Sequence, residues 1–151
     1  MKNKTLVQFE KAADEFAGLK EVPEEALTEP LDVGKWSPRE VICHMYYWDK
    51  FNKEQMVPHM ADGARLPAFP DHDAHNAEGL EYLKSCKKPE EVIDLFVEMR
   101  KALVAEFEVL NPDMRFTIGT GKRQFSPESF VKMFVKHDQH HLKQLEAAGV
   151  K

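Results

Sequence analysis

Four stretches of the chain repeat apolar side chains every three or four residues, the period that places them on one face of an α-helix. The first covers roughly residues 3–20, with Leu6, Phe9, Ala13 and Phe16 in register, and is broken at Val22-Pro23 and Glu29-Pro30. The second opens at W-S-P-R-E: Ser37 is a good N-cap, Pro38 suits the first turn and Glu40 completes a capping box. Its stripe runs Val41, His44, Met45, Trp48 and Phe51, and Pro58 is expected to stop it. Residues 57–72 hold three prolines and a glycine and read as a long crossover, followed by a short helix near Ala74–Lys84. The third long helix is expected from Pro89 to Leu110, with Val92, Phe96, Met99, Leu103, Phe107 and Leu110 facing inward until Asn111-Pro112-Asp113 ends it. The fourth repeats the Ser-Pro opening at Ser126-Pro127 and runs to about Ala148, with Gly149 as its breaker. No run alternates convincingly as a strand would. These segments predict an all-α, four-helix bundle.

The fourth helix carries an anomaly. Its inward stripe reads Phe130, Phe134, His137, His141 and Leu145, so two imidazoles sit where apolar side chains belong. A spacing of four leaves them about 40° apart around the axis and about 6 Å along it, close enough to converge on one ion. His44 takes the same kind of position on the second helix. Together the three make a three-histidine set, which leaves coordination positions free for water or substrate, as catalytic rather than structural metals do. The alternative is that these are core histidines bonded to carbonyls or carboxylates. Burying several imidazoles without partners costs about a few kcal/mol each, which favours the metal. His140 points about 60° or more away from the pair and is expected to be exposed or to act behind a ligand. Asp138 and Gln144 lie close by, either to orient a ligand imidazole or as solvated surface groups. His59, His72 and His75 read as solvated loop histidines. Trp36, Tyr46, Tyr47 and Trp48 read as core or rim packing, with a pocket wall as the alternative.

Composition narrows the class. With 151 residues, 42% hydrophobic and 31% charged, the chain reads as a single globular domain spanning 1–151. No apolar run approaches the roughly 18 residues a membrane span needs. The N-terminus lacks the apolar stretch of a signal peptide, so a cytoplasmic location and no membrane partner are expected. A net charge of −5 argues against nucleic acid as a partner. G-T-G-K at 119–122 lacks phosphate-loop spacing and reads as a turn. The two cysteines, Cys43 and Cys86, form no paired motif, and Cys43 is expected to be a buried, inert thiol.

W-S-P-R-E-V-I-C-H-M at 36–45 and F-V-K-H-D-Q-H-H-L-K-Q-L at 134–145 resemble the two signature segments of the DinB-like superfamily. With the crossover and the arginine-containing third helix, the resemblance covers nearly the whole chain. It implies an up-down-down-up bundle with the long crossover between helices two and three, and a homodimer; exposed aromatic and Met residues on the first and third helices would supply the pairing face. It also implies a divalent cofactor, zinc or nickel foremost and iron or manganese next, held by His44, His137 and His141. Related chemistries include S-transfer and isomerisation using low-molecular-weight thiols, among them bacillithiol and mycothiol, and metal-dependent hydrolysis. The expected partner is therefore a small-molecule substrate, a low-molecular-weight thiol among the candidates. Whether the chain is an enzyme activating a thiol or water, or a non-catalytic, stress-related metal- or ligand-binding bundle, is open from the residues, and no general base can be named.

Overall fold

The computed structural model describes residues 2–150. Helix α1 (Lys4–Ala17) starts where Asn3 accepts the Leu6 N–H at 2.8 Å. The Val22-Pro23 break also opens a short helix, α2 (Glu24–Thr28), which buries Leu27. Helix α3 (Pro38–Phe51) has the expected capping box: Glu40 N–H donates to Ser37 Oγ at 3.3 Å and Ser37 N–H to Glu40 Oε1 at 2.9 Å. Pro58 alters the helical path rather than ending it. Residues 52–56 widen into a π-turn, in which Val57 N–H reaches back to Asn52 O, and 57–59 tighten into a 3₁₀ turn. Proline lacks an N–H and its ring crowds the carbonyl four residues back, so α winding cannot continue through it. Helix α4 (His72–Leu83) begins earlier than the sequence suggested, because Asp71 caps it through the Ala74 N–H at 3.0 Å. Helices α5 (Glu91–Glu108) and α6 (Pro127–Ala147) complete the set, the latter opened by reciprocal Ser126–Ser129 bonds of 2.9 and 3.1 Å.

Contacts between the long helices give their directions. Along α1 and α5, Phe9 meets Arg100, Phe16 meets Phe96 and, just past the end of α1, Lys20 binds Asp94, so these helices are antiparallel. Asp49 pairs with Arg100 and Lys53 with Glu106, so α3 and α5 run parallel. Thr5 bonds Glu128 at the start of α1 and α6, while Ala12 and Phe16 share a core with Leu142 and Leu145 further along, so those two are also parallel. This is the up-down-down-up bundle, and a parallel α3–α5 pair is why the chain needs a crossover.

The crossover is pinned by a two-residue parallel ladder, β1 (Arg65–Leu66) on β2 (Thr117–Ile118). Gly119 extends it, donating to Leu66 O at 2.9 Å with φ at +58°; a Cβ there would lie 3.1 Å from the Ala68 Cβ. Only glycine suits both the left-handed backbone and that approach. The neighbouring Phe69 is thereby held over the bundle, 6.1 Å from the Phe130 ring and 6.2 Å from that of Phe134. Apart from this ladder and one isolated bridge, the described residues form no sheet. None of their helices is long and apolar enough to cross a membrane.

Two apolar clusters fill the interior, one around Phe16, Ile42, Phe96 and Leu145, the other around Phe9, Leu103, Phe116 and Phe130. The aromatic rings of α1 and α5 build this interior, and Met99 is half-buried, so none of them forms an exposed pairing face. Between the clusters sits Arg100, 1% exposed, which the α5 apolar pattern had not placed inward. Its guanidinium stacks on Phe9 at 3.7 Å and makes five hydrogen bonds: two to Asp49, two to Asp138 and one to Phe9 O. One charge thus binds α1, α3, α5 and α6 together.

Candidate metal centre

His44 on α3 and His137 and His141 on α6 come together as the periodicity predicts. His137 Nε2 lies 2.8 Å from His44 Nε2 and 3.1 Å from His141 Nε2. The capping box fixes where α3 begins, and the Arg100 bonds to Asp49 and Asp138 fix how α3 sits against α6.

The tautomers follow from the partners. An indole N–H can only donate, so the Asn76 atom 3.1 Å from Trp48 Nε1 is the amide oxygen. That same oxygen lies 2.9 Å from His44 Nδ1, which must therefore carry the hydrogen. His44 Nε2 is left with a lone pair facing the other two rings. His141 repeats the pattern, its Nδ1 donating to Gln144 Oε1 at 2.7 Å. With His44 and His141 both presenting lone pairs, a single proton on His137 Nε2 can satisfy only one of them. Three nitrogens so arranged could together hold one metal ion. The ligand atoms of the three rings all lie within 4.8 Å of one another.

Burial, followed by the neighbouring His141, holds His44 down to about 4. The same two causes, with His44 third, push His137 down to about 3, and burial also lowers His141. The rings are thus neutral at physiological pH, the form that binds metal.

Several neighbours differ from the sequence reading. Asp138 does not orient a ligand imidazole; it turns to Arg100, and burial lifts it to about 6 because one guanidinium cannot neutralise two buried carboxylates. His75 is not a solvated loop residue: it lies on α4, 6% exposed, with its ring 4.3 Å from Trp48 and burial lowering its pKa. His72 is exposed, on the first turn of α4 rather than in the loop. His59 ends the 3₁₀ turn and is exposed, as is His140. Cys43 is the inert thiol expected, donating to Gly79 O and pushed up to about 12 by burial. Sequence reasoning missed Asn76. Its one available signal was position, one turn after His72 on a helix that the crossover must lay against α3.

Beside the triad opens a cavity of about 300 Å³. His44 and His137 of the triad line it, His72 and Asn76 come from α4, and Trp48, Phe69, Met133 and Phe134 complete the wall.

A family model for the DinB superfamily matches residues 8–145, and the chain belongs to that superfamily. Its fold is similar to that of YfiT from Bacillus subtilis, described as a probable metal-dependent hydrolase with an unusual four-helix bundle topology. That likeness has 18% identity and a TM-score of 0.66, and covers 96% of this chain and 83% of the other. No curated protein matches the chain.

Proposed function

We propose that this chain is a metal-dependent hydrolase whose divalent ion is held by His44, His137 and His141 through their Nε2 nitrogens. The observation that carries the reading is the convergence of these nitrogens, with the hydrogens of His44 and His141 committed to Asn76 and Gln144. Membership of the DinB superfamily supports it, as does the fold shared with a probable metal-dependent hydrolase. A bound divalent cation would supply Lewis acidity and lower the pKa of a water entering the open position. The chain's own residues do the rest. Trp36 covers His44, with the two rings 4.9 Å apart, and substrate enters by the cavity, whose lining does not include Trp36. His72 is the one titratable side chain on the cavity wall outside the triad, and it takes up the proton released as water adds to the substrate. A thiol in place of water would make the same centre a transferase.

Protein purified without chelator should carry about one divalent ion per chain and hydrolyse small activated esters, with hydrolysis abolished by a chelator and restored by metal. Metal content without hydrolysis, together with conjugation of a low-molecular-weight thiol, would favour the transferase; metal without either activity would favour a binding protein. His72→Gln should lower kcat by about 100-fold while leaving metal content unchanged. Asn76→Leu should weaken metal affinity by about 10-fold or more, read by competition with a chromophoric chelator, because it frees the His44 tautomer.

A further inference from the structure

A second cavity, of about 260 Å³, opens between α3 and α4, and none of the three triad histidines lines it. Trp48 lines the cavity beside the triad, and its ring lies 4.3 Å from that of His75, which lines this one. The floor is aromatic: the Tyr47 ring lies 4.7 Å and the Phe51 ring 5.5 Å from the ring of His75. Gly79 seats the tyrosine, since a Cβ at that position would come within 3.1 Å of the Tyr47 ring and push it off α4. His75 is 6% exposed, and its Nε2 has no hydrogen-bond partner among the described residues. Burial lowers its pKa, so it brings a neutral ring and an unused polar atom to the cavity.

The charges around this floor are unequal. Two carboxylates, Glu54 and Glu78, line the cavity with one cation, Lys50. Lys50 Nζ lies 3.6 Å from Glu54 and 5.7 Å from the centre of the Tyr47 ring, whereas Glu78 has no ion-pair partner among the described residues. Burial first, and then the charges of Glu78 and Glu54, hold the Tyr47 phenol above its ordinary pKa, so both carboxylates act on that ring. An aromatic face beside carboxylates attracts a cation, and the chain's own lysine already takes that position.

We propose that this cavity binds a small organic ammonium ion, its charge over Tyr47 between Glu54 and Glu78 and its apolar arm against Phe51 and His75. The volume, just below the roughly 300 Å³ at which sites for drug-sized ligands begin, suits a single ring on a short arm. The bound ion takes the place that Lys50 holds over Tyr47. This site stands apart from the metal-centre reading and does not depend on it.

Benzylammonium and benzyl alcohol, alike in shape and different in charge, are the probes. Each is titrated into zinc-loaded protein at pH 7 and followed through the backbone amide NMR signals of His75, Glu78 and Met133. Benzylammonium should shift the His75 and Glu78 signals and bind at least about 10-fold more tightly than the alcohol. Glu78→Gln, at an exposed position, should weaken binding by about 3-fold or more. Lys50→Met should tighten it by about 3-fold, because the resident cation no longer competes for the Tyr47 face. Equal binding of the two probes, or a Lys50→Met protein that binds benzylammonium no more tightly, would overturn the proposal. Shifts centred on Met133 that His141→Ala abolishes would also overturn it, since the amine would then be a ligand of the zinc. Benzylammonium binding at His75 and Glu78 in a protein that takes up no zinc would uphold the proposal and remove the metal reading.

Discussion

Arg100→Leu lowers the unfolding free energy by about 3–5 kcal/mol, the usual consequence of leaving buried charges unpaired. The guanidinium has five N–H groups and all five are engaged, with Asp49 at 2.7 and 3.2 Å, Asp138 at 2.8 and 3.1 Å and Phe9 O at 2.8 Å. Deleting it strands two carboxylates that are almost completely buried, along with a carbonyl of α1. Arg100→Lys keeps the charge but cannot fork to both aspartates, and should fall between wild type and Arg100→Leu. The paired charges themselves need not be net stabilising, since desolvation offsets much of their attraction. The variant with Arg100, Asp49 and Asp138 all made leucine should therefore recover much of the loss. Urea denaturation of the four proteins checks this. An Arg100→Leu midpoint within error of wild type would show that the node does not hold the helices.

Much of this was legible in the sequence, and the reasons are local. The Ser37-Pro38 and Ser126-Pro127 openings state their helix starts through capping chemistry that needs no partner helix. The histidine stripe was legible because a 3.6-residue period fixes a face regardless of what packs on it. The exceptions all depended on a second element. Arg100 lies outside the apolar stripe of its helix, and only Asp49 and Asp138, arriving from α3 and α6, draw it inward. Asp138, beside a ligand candidate, read as its orienter or as a solvated surface group for the same reason. His75 reads as a loop histidine until Asp71 starts α4 early and lays it on Trp48. Asn76 shows no pattern of its own, because an amide that bonds an indole and an imidazole 28 and 32 residues away has no short-range signature. The continuation through Pro58 was hidden because a proline signals only that α winding fails, not which other winding replaces it.

At pH 8, loading with zinc at about 100 times its Kd should raise the unfolding free energy by about 2.7 kcal/mol, through binding to the native state alone. The gap between loaded and metal-free protein should then close as pH falls. Burial holds the folded-state pKa of the rings below the ordinary histidine value of about 6.5, His44 to about 4 and His137 to about 3. Above pH 6.5 neither folded nor unfolded chain takes protons at these positions, and they leave stability unchanged. Below it the unfolded chain protonates first, so the metal-free fold loses stability between about pH 6.5 and 4. Asp138, lifted to about 6, works in the opposite sense, because its folded form takes up a proton before the unfolded one does. That contribution is common to both forms and cancels in the difference. What remains is competition between protons and metal for three Nε2 nitrogens, and it should erase the gap by about pH 5. Melting curves with and without a chelator measure it directly. His141→Ala should lose the gap at every pH, whereas His140→Ala, at an exposed position on the same turn, should keep it. A gap that survives His141→Ala and disappears with His140→Ala would place the ion on the outer face of α6 and refute the three-histidine centre.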